Sequence, residues 1–321
     1  MKRIFRLALL TLLSVSLGIA SEFEDTKIKA EQGDVKAQLL LGVMYVLGHG
    51  VQQDDAQSVF WIRKAAEQGN AEALMALGDM YAEGKGVPID TAQALALLLK
   101  AAEQGNARAQ YRLGNRYKEG RGVPQDDTQA VAWFRKAAEQ GHPRAQNNLG
   151  IQYDNGRGVP QDYALAVAWF RKAAEQGHPN AQNNLGTMFD LGTGVPQDYA
   201  QAALWYRKAA DQGDPQAQGN IGRLYDLGKG VPQDAVQAAT WYRKAADQGQ
   251  AKAQNTLGDM YSEGKGVPKD KVLAYMWISL AAAQDIEKYK DSRDSAAFNL
   301  SPKQRAEAQK MAREWKPTPA K

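Results

Sequence analysis

Glycine recurs in this chain at an interval of 36 residues and never slips. Gly33, Gly69, Gly105, Gly141, Gly177, Gly213 and Gly249 form one series. Three more keep the same interval, from Gly42 to Gly258, from Gly48 to Gly264 and from Gly50 to Gly266, so only Gly18 and Gly219 of the 30 glycines stand outside the pattern. Asp54, Asp90, Asp126, Asp162, Asp198, Asp234 and Asp270 form an unbroken acidic set, and Pro88, Pro124, Pro160, Pro196, Pro232 and Pro268 join it, with Gln52 in the first place. A fixed period of this length means one supersecondary unit repeated, each copy too small to bury its apolar face alone. Seven units in one array are therefore expected, rather than the two globular domains usual for a chain of this length.

The unit beginning at Ala145 reads AQNNLGIQYDNGRGVPQDYALAVAWFRKAAEQGHPN. Ala145, Leu149 and Tyr153 fall at i, i+4 and i+8, the apolar stripe of a first helix. Gly156 to Pro160 stops it, because two glycines permit positive φ and the residue before proline avoids the α region. Asp162 is placed to cap a second helix, whose buried stripe is Ala166, Trp169, Ala173 and Ala174 and which Gly177 ends. Gly150 inside the first helix costs roughly 1 kcal/mol relative to alanine, so its return seven times predicts a neighbouring helix at close range. The aromatic at the Trp169 position is expected to fill the gap between hairpins. Leu97 takes that place in the second unit, a smaller filler that predicts a softer joint.

Ahead of the repeats, Lys2, Arg3 and Arg6 precede the apolar run Leu7 to Leu17 and the small residues Gly18 and Ala20. That order predicts a secretory leader at residues 1–20, cut after Ala20. The run is shorter than the roughly twenty residues that span a bilayer as a helix; an uncleaved anchor is the other reading. Removing the leader takes three positive charges from a net charge of +4, and the near-neutral remainder has no nucleic-acid footprint. With no cysteine, disulfides, thiolate nucleophiles, cysteine metal sites and a lipoprotein anchor are all excluded.

The pattern LGxxYxxGxGVPxDxxxAxxWxxKAAxQG, over about residues 30–284, resembles the Sel-one-like repeat, a cousin of the tetratricopeptide repeat. The resemblance implies an all-α, right-handed α/α superhelix of seven helix hairpins, with first helices lining a concave groove and a role as an adaptor in protein assembly. Some secreted members carry a disulfide in every repeat and bind penicillin-like compounds; this chain lacks those cysteines. Around the repeats at 34–284, residues 21–33 are expected to form an N-terminal capping helix, 285–315 C-terminal capping helices and 316–321 a frayed tail. The apolar stretch Tyr275 to Ala283 needs a cover. Ser301 and Pro302 are suited to start the helix that provides it, through Ala308, Met311, Ala312 and Trp315.

Nothing in the sequence assembles a catalytic set, a cofactor site or a metal centre. His142 and His178 are equivalent positions of neighbouring units, roughly 10 Å apart and too far to share a metal; His49 stands apart. No nucleophile elbow or phosphate loop occurs, and the aspartate row is explained by capping. Function is expected where the frame varies, on first-helix positions that by analogy with tetratricopeptide grooves face the concave wall: Tyr111, Asn115 and Lys118; Asn147, Ile151 and Asp154; Asn183, Thr187 and Asp190; then Arg223 and Asp226. Amides with several carboxylates suit a peptide backbone or a basic segment. The expected role is thus a non-enzymatic scaffold of the periplasm or cell exterior, binding a peptide of an envelope protein. A penicillin-type binder and a host-directed effector or surface protein are the alternatives. Leu39, Leu40, Val43, Met44, Val46, Leu47, Met75 and Leu97–Leu99 make the first two units unusually apolar, either as a partner surface or as a seat for the N-terminal helix.

Overall fold

The computed structural model describes residues 21–284, 286–298 and 300–318, and among these the regular structure is entirely α-helical. The expected leader lies outside the described residues. Contacts divide the chain into two compact units: one runs to Ala145 and includes Arg157–Val159, the other holds Gln146–Gly156 and continues from Pro160.

The first unit comprises α1 (21–31), α2 (Val35–Leu47), α3 (Asp55–Glu67), α4 (Ala71–Glu83), α5 (Thr91–Glu103), α6 (Ala107–Glu119) and α7 (Asp127–Glu139). The glycines and the Asp54 series that the period singles out bound these helices, with a varying polar residue at the start of each first helix. Asp34, Asn70 and Asn106 accept an amide of the first turn of α2, α4 and α6, and these helices end on Gly48, Gly84 and Gly120 in the left-handed conformation. Asp54, Asp90 and Asp126 cap α3, α5 and α7 in the same manner.

Glutamines that the sequence pattern did not single out tie the hairpins together. Gln110, 4 % exposed, donates to the Ala102 carbonyl at the end of α5 (3.0 Å), and its Oε1 accepts from Gln140 beyond the end of α7 (2.8 Å). One amide thus joins three helices, and the pairing of the start of α6 with the end of α7 makes that hairpin antiparallel. Gln38 does the same between Ala30 and Gln68. The second unit of the repeat has Leu74 here, packed in an apolar cluster with Met75, Leu77, Met80 and Leu98.

Repeats are also pressed together by backbone. A Cβ on Gly86 would stand 2.3 Å from the Asp55 carbonyl oxygen at the start of the preceding second helix, whereas one on Gly122 would meet only the tip of Arg116. Arg63 of α3 reaches forward to the Tyr81 hydroxyl at 3.1 Å; Leu99 occupies the arginine's place in α5. The joint between the second and third repeats thus lacks both of these contacts.

The apolar excess near the N-terminus divides three ways. Met44, Met75 and Leu98 are buried, Leu39, Val46, Leu97 and Leu99 pack partly on the core, and α1 seats Phe23 and Ala30 against Ala37, Leu41, Met44 and Trp61. Leu40, Val43 and Leu47 remain exposed along α2.

The second unit contains most of α8 (Pro143–Asn155), then α9 (Tyr163–Glu175), α10 (Pro179–Leu191), α11 (Tyr199–Asp211), α12 (Pro215–Leu227), α13 (Ala235–Asp247), α14 (Ala251–Glu263), α15 (Lys271–Ala282), α16 (Glu287–Ala297) and α17 (Pro302–Glu314). Helical glycines lie under large side chains, as their cost required. A Cβ on Gly150 would sit 2.7 Å from the Phe170 ring, and one on Gly186 at the same distance from Tyr206. The close partner is thus the residue after the tryptophan position, not Trp169, which is half-buried beneath Lys172. Trp241 does fill the space between hairpins: it is 3 % exposed and packs on α11 and α12, with Arg207 of α11 over its ring. Burial of each such ring contributes about 2–3 kcal/mol.

The cover at the C-terminal end is in place. Ser301 and Gln304 form a reciprocal cap with Pro302 in the first turn of α17. Ala308 is fully buried against α15, and the Trp315 ring meets Trp277 edge-on at 6.3 Å. The segment after it folds back: the Thr318 amide donates to the Asp247 carbonyl at 2.7 Å.

Candidate functional site

The frame-free positions of the first helices are divided between the units. In the first, Tyr111, Asn115 and Lys118 of α6 are all half-buried. Tyr111 stacks on His142 with ring centroids 4.8 Å apart, so its face is covered by the chain itself. Next to it, Arg112 of α6 forms a two-pronged ion pair with Asp79 of α4, which holds the guanidinium above its usual basicity.

In the second unit, Ile151 and Asp154 of α8 are half-buried, and burial raises the Asp154 carboxyl above the ordinary aspartate value. Asn147 is buried at 4 % exposure, and its Oδ1 accepts from Asn184 of α10 at 3.0 Å. One repeat further on the bond is made again, Asn220 of α12 donating to Asn183 at 3.0 Å. These amides form a ladder between successive first helices, a role the sequence reading did not give them.

Asn183, Thr187, Asp190 and Arg223 come together in an open cleft of about 570 Å³. Gly186 brings α11 close enough for the Tyr206 hydroxyl to reach both Thr187 Oγ1 (3.1 Å) and Asp190 Oδ2 (3.2 Å). Burial, at 1 % exposure, drives the Tyr206 hydroxyl well above the usual tyrosine range, so it remains a donor. Asp190, 8 % exposed, is neutralised by Arg223 from the next first helix, and the Gln197 amide holds its backbone carbonyl at 2.7 Å. Asp226 pairs with Lys265 at 2.6 Å rather than with a group in the cleft. Two of the three groove carboxylates, Asp190 and Asp226, are therefore ion-paired within the protein.

The remainder of the cleft comes from residues that the periodicity did not mark: Leu191, Tyr199, Gln216, Asn220, Lys229 and Lys252. Tyr206 stands where Phe134 and Phe170 occur in earlier units, and that change to a hydroxyl was a readable signal. Lys229 and Lys252 gave none, since the loop and the helix start vary freely in charge.

Helix hairpins of 36 residues, joined by amide clamps and capped by glycine and aspartate, define an α-helical repeat protein. A profile of the Sel1 repeat matches seven times, at residues 35–70, 71–106, 107–142, 143–178, 179–214, 215–250 and 251–286, and the chain belongs to that family. The crystal structure of a Sel1 repeat protein from Oxalobacter formigenes is similar at 40 % identity, with a TM-score of 0.69 over 87 % of this chain and 81 % of that one. The uropathogenic Escherichia coli protective antigen c5321, which displays the SLR fold, is similar at 33 % identity, with a TM-score of 0.45 over 92 % of this chain and 79 % of that one. A comparison with curated proteins finds no match. This repeat fold commonly mediates protein–protein interaction, and its members generally act as scaffolds rather than enzymes. No helix among the described residues is long and apolar enough to cross a membrane.

Proposed function

We propose that this protein is a scaffold of the periplasm or cell exterior that receives a peptide segment of an envelope protein on the first-helix face of its second unit. The observation that carries the reading is the convergence of Asn183, Thr187, Asp190 and Arg223, four residues singled out for their variability, on one open cleft. Amide side chains there repeat from one first helix to the next, at Asn183 and Asn220. An extended peptide has the matching need, a backbone donor and acceptor at regular intervals. The leader expected at residues 1–20 supports the location.

The test is affinity capture from envelope extracts with the wild-type protein and with an Asn183→Trp/Asn220→Trp variant that fills the cleft. The expected result is a partner that the wild type retains and the variant loses, while both melt cooperatively. Retention of the same partner by the filled variant would refute the proposed face.

A further inference from the structure

The cleft of the second unit also has a definite chemical preference, which rests on the reading above. Its charged side chains are Asp190, Arg223, Lys229 and Lys252. Asp190 and Arg223 cancel each other, and Asp190 is almost wholly buried behind that pair. Lys229 is held at the cleft, its Nζ 3.2 Å from the Tyr199 hydroxyl and 4.7 Å from the centre of the ring. Lys252 is exposed and makes no ion pair among the described residues. The charge left to a ligand is thus that of two ammonium groups, with no free carboxylate opposing them.

Two of the four cleft amides agree with the charge, while Asn220 and Gln197 each donate an N–H within the protein. Asn183 has already used its oxygen to accept from Asn220, so what it offers is its Nδ2 donor pair. Gln216 has likewise used its oxygen, accepting from Gln250 at 2.8 Å. Gly219 makes that contact possible, since a Cβ there would stand 2.5 Å from the Gln250 amide oxygen. Beside these donors, Leu191 is 66 % exposed and the Tyr199 ring forms part of the wall.

We infer that the cleft takes a carboxylate, presented by an acidic residue of an extended peptide with an apolar neighbour. The ammonium groups and amide donors meet the carboxylate, and Leu191 and Tyr199 meet the neighbour. A basic segment, which the groove aspartates alone would favour, finds Asp190 and Asp226 already paired.

The experiment uses the purified full chain, immobilised, and a random heptapeptide library in which every residue except cysteine is equally represented. The retained pool is sequenced, in parallel with that of a Lys229→Glu/Lys252→Glu variant whose fold is checked by circular dichroism and thermal melting. The expected wild-type pool is enriched about threefold or more in Asp and Glu adjacent to an apolar residue, an excess typical of exposed ion pairs that fades toward 1 M salt. In the variant the acidic preference should vanish or reverse. Enrichment in Lys and Arg, selection without acidic residues, or acidic enrichment that survives in the variant would each overturn the inference while leaving peptide binding intact. A pool indistinguishable from blank resin would overturn peptide binding itself, and the inference with it.

Discussion

Arg223 in one repeat is ion-paired to Asp190 in the repeat before it, and the Tyr206 hydroxyl closes the same carboxylate from a third helix at 3.2 Å. The pair ties two first helices across the floor of the cleft. Replacing Arg223 by Ala leaves a nearly buried carboxylate with one hydroxyl donor, which should cost about 2 kcal/mol after allowing for the exposure of the arginine. Adding Asp190→Asn should recover roughly half of that. Urea denaturation of the two variants measures both values; equal loss in the single and double variants would contradict the assignment.

The two loop glycines of the first unit separate backbone strain from packing. Gly86 and Gly122 have φ of 67° and 75°, so alanine at either should cost roughly 1–2 kcal/mol for the left-handed conformation. At Gly86 the new methyl also strikes the Asp55 carbonyl, whereas at Gly122 it meets a mobile guanidinium. Gly86→Ala should therefore lower the melting temperature several degrees more than Gly122→Ala. Similar shifts would show that the joint after the second repeat is as tightly closed as the others.

Substitution of the clamp glutamines distinguishes hydrogen bonding from volume. Gln182 donates to the Ala174 carbonyl at 3.1 Å and accepts from Gln212 at 2.7 Å. Gln182→Leu keeps the volume, as Leu74 does in its own repeat, but leaves the Ala174 carbonyl with backbone donors alone and takes away the acceptor of Gln212, so about 1 kcal/mol of stability should be lost. The reverse change, Leu74→Gln, should be tolerated better, because Ala66 and Gln104 stand where the clamp's other members do. Both follow from thermal melts.

His142 makes the first unit sensitive to acid. Its Nδ1 accepts the Ala145 amide at 3.2 Å, and burial, with Arg144 and Arg108 nearby, lowers its pKa below the usual histidine value. A protonated ring cannot accept that bond, so the fold binds the proton less readily than the unfolded chain does. The contribution is complete above about pH 6.5, the unfolded value, and is lost as pH falls from there through the lowered folded value. His142→Asn, which keeps a cap of the kind Asn70 and Asn106 provide, should flatten the pH dependence of the melting temperature between pH 7 and 5. An unchanged slope would place the sensitivity elsewhere.

Much of this molecule could be read from its period. Asp162 caps α9, Gly156 and Gly177 end helices and Gly150 marks a close approach, because each depends on backbone geometry that one or two residue types satisfy. Which side chain the Gly150 approach faces was not legible: Trp169 and Phe170 are adjacent, and helix rotation, not composition, turns Phe170 inward. The groove positions were legible as variable, but not as occupied. Asn147 and Asn184 satisfy each other across two helices, and Asp190 meets Arg223 33 residues away. Such pairings depend on the rise between hairpins, which a linear pattern does not contain.

The central claim, that the first-helix face of the second unit is where a partner rests, is tested most directly by photo-crosslinking in intact cells from a single probe residue. The probe is placed in turn at Asn183, within the cleft, and at Leu204, an exposed position of α11 that does not line it. A discrete protein adduct from Asn183 and none from Leu204 is the predicted result. An adduct of equal yield from Leu204, or from Leu204 alone, would contradict it.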